Sequence, residues 1–267
     1  MKAINRILAI TFIFSVLLSS QVVGQEESEE EFEPAYIVIT KMHWNSDDTV
    51  DFSDWKATEE EYFEKVTNKN DLILHSGVYR HYLTADSSEI LFLTVYDSWS
   101  DFQESLNVNA ELIEEAWPDE EERTAFFEKQ SNYYDDIHSD EMFSTLPYYK
   151  QLVTESEEPL LIYMRKNKVG KDGNGYREYF DNVITENKFI KGYFTMKHFF
   201  GADSSDAYEV GIYDNLADIE SAFEENQRLS DAYWTDKEER EEFFKELSKV
   251  FKGHGDFIYQ TVPELSK

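Results

Sequence analysis

From residue 35 onward the period of the apolar positions changes repeatedly, and each change predicts an element. Residues 35–44, rich in β-branched and aromatic side chains, read as a strand, and 45–54 as a polar loop. Trp55, Tyr62, Phe63 and Val66 then recur at helical spacing with glutamates opposite, so a helix starts near Ser53. Residues 72–84 and 89–96 read as two strands of a hairpin that turns at Ala85-Asp86-Ser87-Ser88. Ser98 caps a helix carrying Phe102, Leu106, Leu112 and Ile113, with a potential break at 107–109. Pro118 opens another, carrying Phe126, Phe127, Tyr133 and Tyr134, since its missing N–H costs nothing in a first turn. A fourth strand spans 142–149. The same order then returns as strand 160–166, helix 176–185, strands 189–200 and 208–213, helices 216–228 and 237–251, and strand 257–262.

The residues repeat along with the pattern. Arg80-His81-Tyr82-Leu83-Thr84-Ala85-Asp86-Ser87-Ser88 returns as Lys197-His198-Phe199-Phe200-Gly201-Ala202-Asp203-Ser204-Ser205, a displacement of 117 (198 − 81). The same displacement carries Tyr96-Asp97 onto Tyr213-Asp214, the Trp117–Arg123 run onto Trp234–Arg240, and Phe126-Phe127 onto Phe243-Phe244. With one residue deleted, His138-Ser139-Asp140 returns as His254-Gly255-Asp256, a displacement of 116 (254 − 138). The chain is a duplicated module. The organisation predicted is a leader at 1–24, an acidic tether at 25–34, a first repeat at 35–150, a linker at 151–158 and a second repeat at 159–267.

Each repeat reads β-α-β-β-α-α-β, an α+β class of the ferredoxin-like kind. A four-stranded antiparallel sheet with helices on one face leaves its other face bare, and the economical cover is the sheet of the other repeat. The fold expected is two tandem ferredoxin-like repeats whose sheets pack into an intramolecular α+β barrel. On the third strand, Leu91, Leu93 and Val95 match Tyr208, Val210 and Ile212, an apolar row assigned to the helices. The alternate row then faces between the sheets: Ile90, Phe92, Thr94 and Tyr96 against Ala207, Glu209, Gly211 and Tyr213.

Through this element order and the strand-to-helix step Tyr96-Asp97-Ser98-Trp99-Ser100-Asp101-Phe102, the chain resembles the dimeric α+β barrel superfamily. Its members include antibiotic-biosynthesis monooxygenase-like and chlorite-dismutase-like proteins. The resemblance spans residues 35–150 and 159–263 and contains no catalytic motif. It implies a space between the sheets that holds a small apolar or aromatic ligand, or haem in some members. Fold alone does not assign an activity. Three readings follow: a small-molecule-binding protein, a cofactor-independent monooxygenase-like or haem-handling enzyme using His81, His198 or His138, and a structural or interaction module with a packed barrel.

Composition narrows the setting. Lys2 and Arg6 followed by an apolar run at 7–18 read as a secretory leader cleaved after Gly24, too short to span a bilayer. The expected location is therefore exported, periplasmic or extracellular. The absence of cysteine removes disulfides, a thiol nucleophile and thiolate metal sites. The formal charge of −31 falls by two, to −33, once Lys2 and Arg6 leave, which argues against nucleic acid and against membrane insertion. The bland reading of that charge is solubility; the sharper one is capture of a cationic ligand or of Ca²⁺. A barrel completed within one chain permits a monomer.

The candidate ligand-binding residues are His81, His198, Tyr79, Tyr96, Glu209, Tyr213 and Arg165. His81 alternates with Tyr79 and Leu83, and His198 with Met196 and Phe200, which makes each either a satisfied core histidine or the polar tip of a pocket. Glu209 is expected at the polar end of an inter-sheet cavity, partnered by Arg165 or a histidine. His138/Asp140 and His254/Asp256 are candidate acid/base or metal pairs, because an aspartate can orient an imidazole; the alternative is a locally fixed loop. Two ligand types fall short of a metal site, so no metal is assigned, and no cofactor is named. Residues 166–175 hold several glycines but neither a phosphate loop nor an EF-hand ligand order, and read as a turn.

Overall fold

A four-stranded sheet has two open edges, and each of the two sheets in this chain closes its edges on the other. The computed structural model describes residues 32–46, 50–156, 158–170, 172–201 and 203–267. The predicted leader and the tether up to residue 31 lie outside the described residues, and the unit treated below is residues 34–267. Strands β1 (Tyr36–His43), β2 (His75–Leu83), β3 (Glu89–Tyr96) and β4 (Ser139–Lys150) lie in the order β2-β3-β1-β4. Strands β5 (Leu161–Val169), β6 (Gly192–Phe200), β7 (Asp206–Tyr213) and β8 (Phe251–Ser266) repeat it as β6-β7-β5-β8. β2 then pairs with β8 and β4 with β6, so the whole is a closed antiparallel barrel, β1-β3-β2-β8-β5-β7-β6-β4. Both seams join the second strand of one repeat to the fourth of the other, and among the described strands no backbone edge is left for another chain to extend.

Eight strands enclose an interior just wide enough for side chains to fill. Ile37, Ile39, Leu91, Leu93, Phe143, Ile162, Met164, Met196, Tyr208, Val210 and Tyr259 fill it. This reverses the predicted faces of the third strands. Leu91, Leu93, Val95, Tyr208, Val210 and Ile212 line the barrel, while Ile90, Phe92, Ala207, Glu209 and Tyr213 belong to the rows beneath the helices. Both rows are buried and largely apolar, so alternation carried no sign of which was inner.

Helices α1 (Phe52–Lys65), α2 (Trp99–Ala116) and α3 (Glu120–Ser131) cover the first sheet, and α4 (Tyr176–Tyr179), α5 (Leu216–Tyr233) and α6 (Lys237–Leu247) the second. Asp51, Asp119 and Asp236 cap α1, α3 and α6 through their carboxylates, so Asp119 and not Pro118 starts α3. α2 runs unbroken through 107–109. Its Asn109 accepts from the Asn70 amide at 2.7 Å, and the pair recurs as Asn226 and Asn187 at 2.8 Å. Tyr133 and Tyr134 lie past the end of α3 and pack under α1. α6 ends at Leu247, and Phe251 already belongs to β8.

The first helix differs most between the repeats. α1 has 14 residues, whereas α4 has 4 and continues as a π turn at Phe180–Ile184. No helix among the described residues is long and apolar enough to cross a membrane.

Candidate functional site

Strand pairing brings β1 and β5 into equivalent positions with an offset of 125 (166 − 41), not 117. Ile39 pairs with Leu93 and Met164 with Val210; Lys41 pairs with Leu91 and Lys166 with Tyr208. Lys41 and Lys166 are therefore repeat-related, and so are the residues they bind. Lys41 meets Glu89 at 2.7 Å and Lys166 meets Asp206 at 2.7 Å. Asp206 also receives Lys168, which in turn reaches Asp203 at 2.6 Å. The acids are sunk deeper than the lysines: Asp206 is 2% exposed and Glu89 7%. A carboxylate at that depth is tolerated only when paired.

These pairs ring the mouth at one end of the barrel, where the packed interior opens into a cavity of about 110 Å³. Ile39, Leu91, Met164 and Phe257 give it an apolar wall, and Lys41, Ser139, Glu141, Lys166, Tyr208 and Tyr259 a polar one. The repeat is broken at three places in this wall. Leu91 stands where Tyr208 does, Phe143 where Tyr259 does, and Glu141 where Phe257 does. The polar character is thus concentrated near Lys166.

Electrostatics fix the protonation states. Burial alone would pull the Lys166 ammonium down, but Asp206 and Tyr208 outweigh it and hold it above its ordinary value. Burial pushes the Tyr208 phenol up to about 12. Tyr259 is raised by burial and by the Glu89 carboxylate, to which it donates at 3.1 Å. At neutral pH the tyrosines are neutral donors and Lys166 is charged.

Of the residues expected at the site, Tyr79 lies in the barrel interior, its phenol pushed up to about 12 by burial. Tyr96 and Tyr213 are core residues beneath the helices, Tyr96 packed edge-on against Phe102 at 5.5 Å. Glu209 does not point between the sheets. It lies under α4, where it accepts from Tyr176 at 2.7 Å, Tyr193 at 2.9 Å and Asn167 at 2.8 Å. The cause is the reversed face of β7: Tyr208, Val210 and Ile212 take the interior, which leaves Glu209 in the row beneath the helices. Arg165 stays on that outer side, against Asp256 at 3.3 Å and the Tyr163 hydroxyl at 3.1 Å.

The histidines do not line the interior cavity. His81 contacts the Thr84 hydroxyl at 2.8 Å and borders an outer groove of about 360 Å³ with Trp44, Phe52 and Arg80. His198 stands near the end of β6, backbone-paired with Phe143. His138 and His254 each meet their aspartate, Asp140 and Asp256, at 3.3 Å in half-exposed pairs. Among the described residues no three His, Asp or Glu side chains converge to hold a metal. A haem does not fit the barrel interior: the cavity is well below the few hundred Å³ of cofactor pockets, and no histidine lines it.

No protein-family model and no curated protein sequence matches the chain. Solved structures do. A protein from Fusobacterium nucleatum subsp. nucleatum described as a "putative monooxygenase" is similar at a TM-score of 0.56, with 8% identity over 87% of this chain and 94% of that one. A mutant chlorite dismutase from Candidatus Nitrospira defluvii in complex with cyanide is similar at 0.50, with 12% identity over 86% and 91%. The fold is that of the dimeric α+β barrel proteins, here completed by the two halves of a single chain.

Proposed function

We propose that this is an exported small-molecule-binding protein whose site is the polar mouth of the barrel. The observation that carries the reading is the duplicated pair of ion pairs, Lys41–Glu89 and Lys166–Asp206, converging on a cavity of about 110 Å³. Charges sunk at the end of an otherwise apolar interior add little net stability, since desolvation offsets most of their attraction. They do fix rigid polar groups where a ligand can meet them. Export rests on the leader sequence at 1–24.

The monooxygenase and chlorite dismutase descriptions belong to proteins that share the fold at low identity, and fold alone transfers no chemistry. A second reading, an interaction module with a solid barrel, is favoured by the filled interior below the mouth.

Native mass spectrometry of the protein recovered from its own producing cells tests the proposal. The expected result is a chain beginning at Gln25 that carries a small extra mass, lost in Ser139→Trp, whose indole would fill the mouth from its rim. An adduct that survives Ser139→Trp places the ligand elsewhere and overturns the mouth as the site. A bare mass in both proteins favours the solid module.

A further inference from the structure

We infer that the mouth selects a small organic cation: a primary amine on a compact apolar body, its ammonium directed to Glu141. This rests on the mouth being the binding site and adds the class of ligand. The argument begins with charge accounting. Lys41 is matched by Glu89, and Lys166 by Asp206. Among the described residues Glu141 is the lining carboxylate that takes part in no ion pair within 4 Å; it is half-buried and acts on Lys166 only at longer range, so a ligand ammonium would give it the direct partner that Lys41 and Lys166 already have.

The other ligand charges fit less well. A carboxylate would need a free ammonium, yet both lysines already hold a buried acid and Glu141 would repel it. A divalent metal needs several oxygen ligands, and among the described residues no three ligating side chains converge, whereas one ammonium needs only one carboxylate. A cation also gains from the field of a chain of formal charge −31, which raises its concentration near the surface.

The repeat breaks define the body of the ligand. Leu91 and Phe257, standing where the other half carries Tyr208 and Glu141, join Ile39 and Met164 as the apolar wall. The cavity of about 110 Å³ is smaller than the roughly 150 Å³ apolar cavity that admits benzene. That leaves room for about four to six non-hydrogen atoms.

Isobutylamine, isobutanol and isobutyrate share a shape and differ in charge, and methyl NMR of Ile39, Leu91 and Met164 in the full-length secreted protein reports their binding. The expected result is that isobutylamine shifts these methyls and binds about tenfold tighter than isobutanol, the effect of one charged hydrogen bond. Glu141→Gln should bring amine and alcohol to within about twofold. Equal binding of the alcohol or the carboxylate overturns the cation assignment while leaving the mouth as a site, and an amine preference that survives Glu141→Gln overturns the role of Glu141. If none of the three compounds moves these methyls, the mouth reading falls, and the ligand class with it.

Discussion

Tyr259 donates its hydroxyl to Glu89 at 3.1 Å across the barrel, joining the last strand of the second repeat to the third strand of the first. Strand pairing places Phe143 at the equivalent of Tyr259, and there a ring without a hydroxyl packs edge-on against Tyr208 at 5.1 Å. The shape of the site therefore tolerates phenylalanine, and the hydroxyl is the added feature. Tyr259→Phe should lower unfolding free energy by about 1.5–3 kcal/mol, the range of a hydrogen bond to a charged group, as read by urea denaturation. No loss would mean that Glu89 is fully served by Lys41.

Glu59 makes stability depend on pH in the opposite sense to an ordinary paired carboxylate. It is 2% exposed, and burial raises its pKa, only partly countered by hydrogen bonds from Tyr134 at 2.7 Å and Gln130 at 3.0 Å. The folded chain thus binds more protons than the unfolded one just above the ordinary carboxyl value of 4.5. Stability from this group is present below that value and is lost as pH rises through the folded pKa. Glu59→Gln removes the titration. The stability of the natural protein minus that of the variant should fall as pH rises above 4.5, then level off. A flat difference across a series of thermal melts would show that Glu59 titrates normally.

The most visible repeats in the sequence turn out to be structural. Trp117 stacks on Phe126 at 4.1 Å and Trp234 on Phe243 at 4.1 Å, while Arg123 and Arg240 donate to the carbonyls of Trp117 and Trp234 at 2.9 and 3.0 Å. Such local staples keep their spacing, so a constant displacement reveals them. The barrel itself was legible for the same reason, since element order survives duplication. The inner and outer faces were not legible, because both rows of β3 and β7 are buried and only the crossover geometry of the helices decides between them. The mouth was missed because β1 and β5 are offset by 125 (166 − 41) rather than 117. The eight-residue difference is absorbed where α4 and its π turn replace the longer α1. Glu209 was misplaced with the rest of its row: it lies on the outer face of β7, where Tyr176 of α4 and Tyr193 of β6 donate to it.

The asparagine clamps offer a test that the two repeats stand independently. Asn70 donates to the Ser105 carbonyl at 3.1 Å and accepts from the Leu72 amide at 3.1 Å; Asn187 does the same with Ala222 at 2.8 Å and Phe189 at 2.9 Å. Both are fully buried. Alanine at either position leaves buried backbone groups unpaired and should cost about 2–3 kcal/mol. The two share no partner, so the double variant should lose the sum to within about 0.5 kcal/mol. A larger loss would show coupling through the barrel.

The two mouth lysines are equivalent by repeat but not by consequence. Removing Lys166 leaves Asp206 with Lys168 still bound to it, whereas removing Lys41 leaves Glu89 only the neutral hydroxyl of Tyr259. A buried carboxylate that keeps a cation loses little; one left with a single neutral donor bears its desolvation uncompensated. Lys41 is itself about one-third exposed, so solvent screens its pair and tempers the difference. Lys41→Met should therefore cost about 1–2 kcal/mol more than Lys166→Met, measured side by side at neutral pH. Equal losses for the two variants would show that Lys168 does not compensate Asp206, and that the second pair of the mouth depends on Lys166 alone.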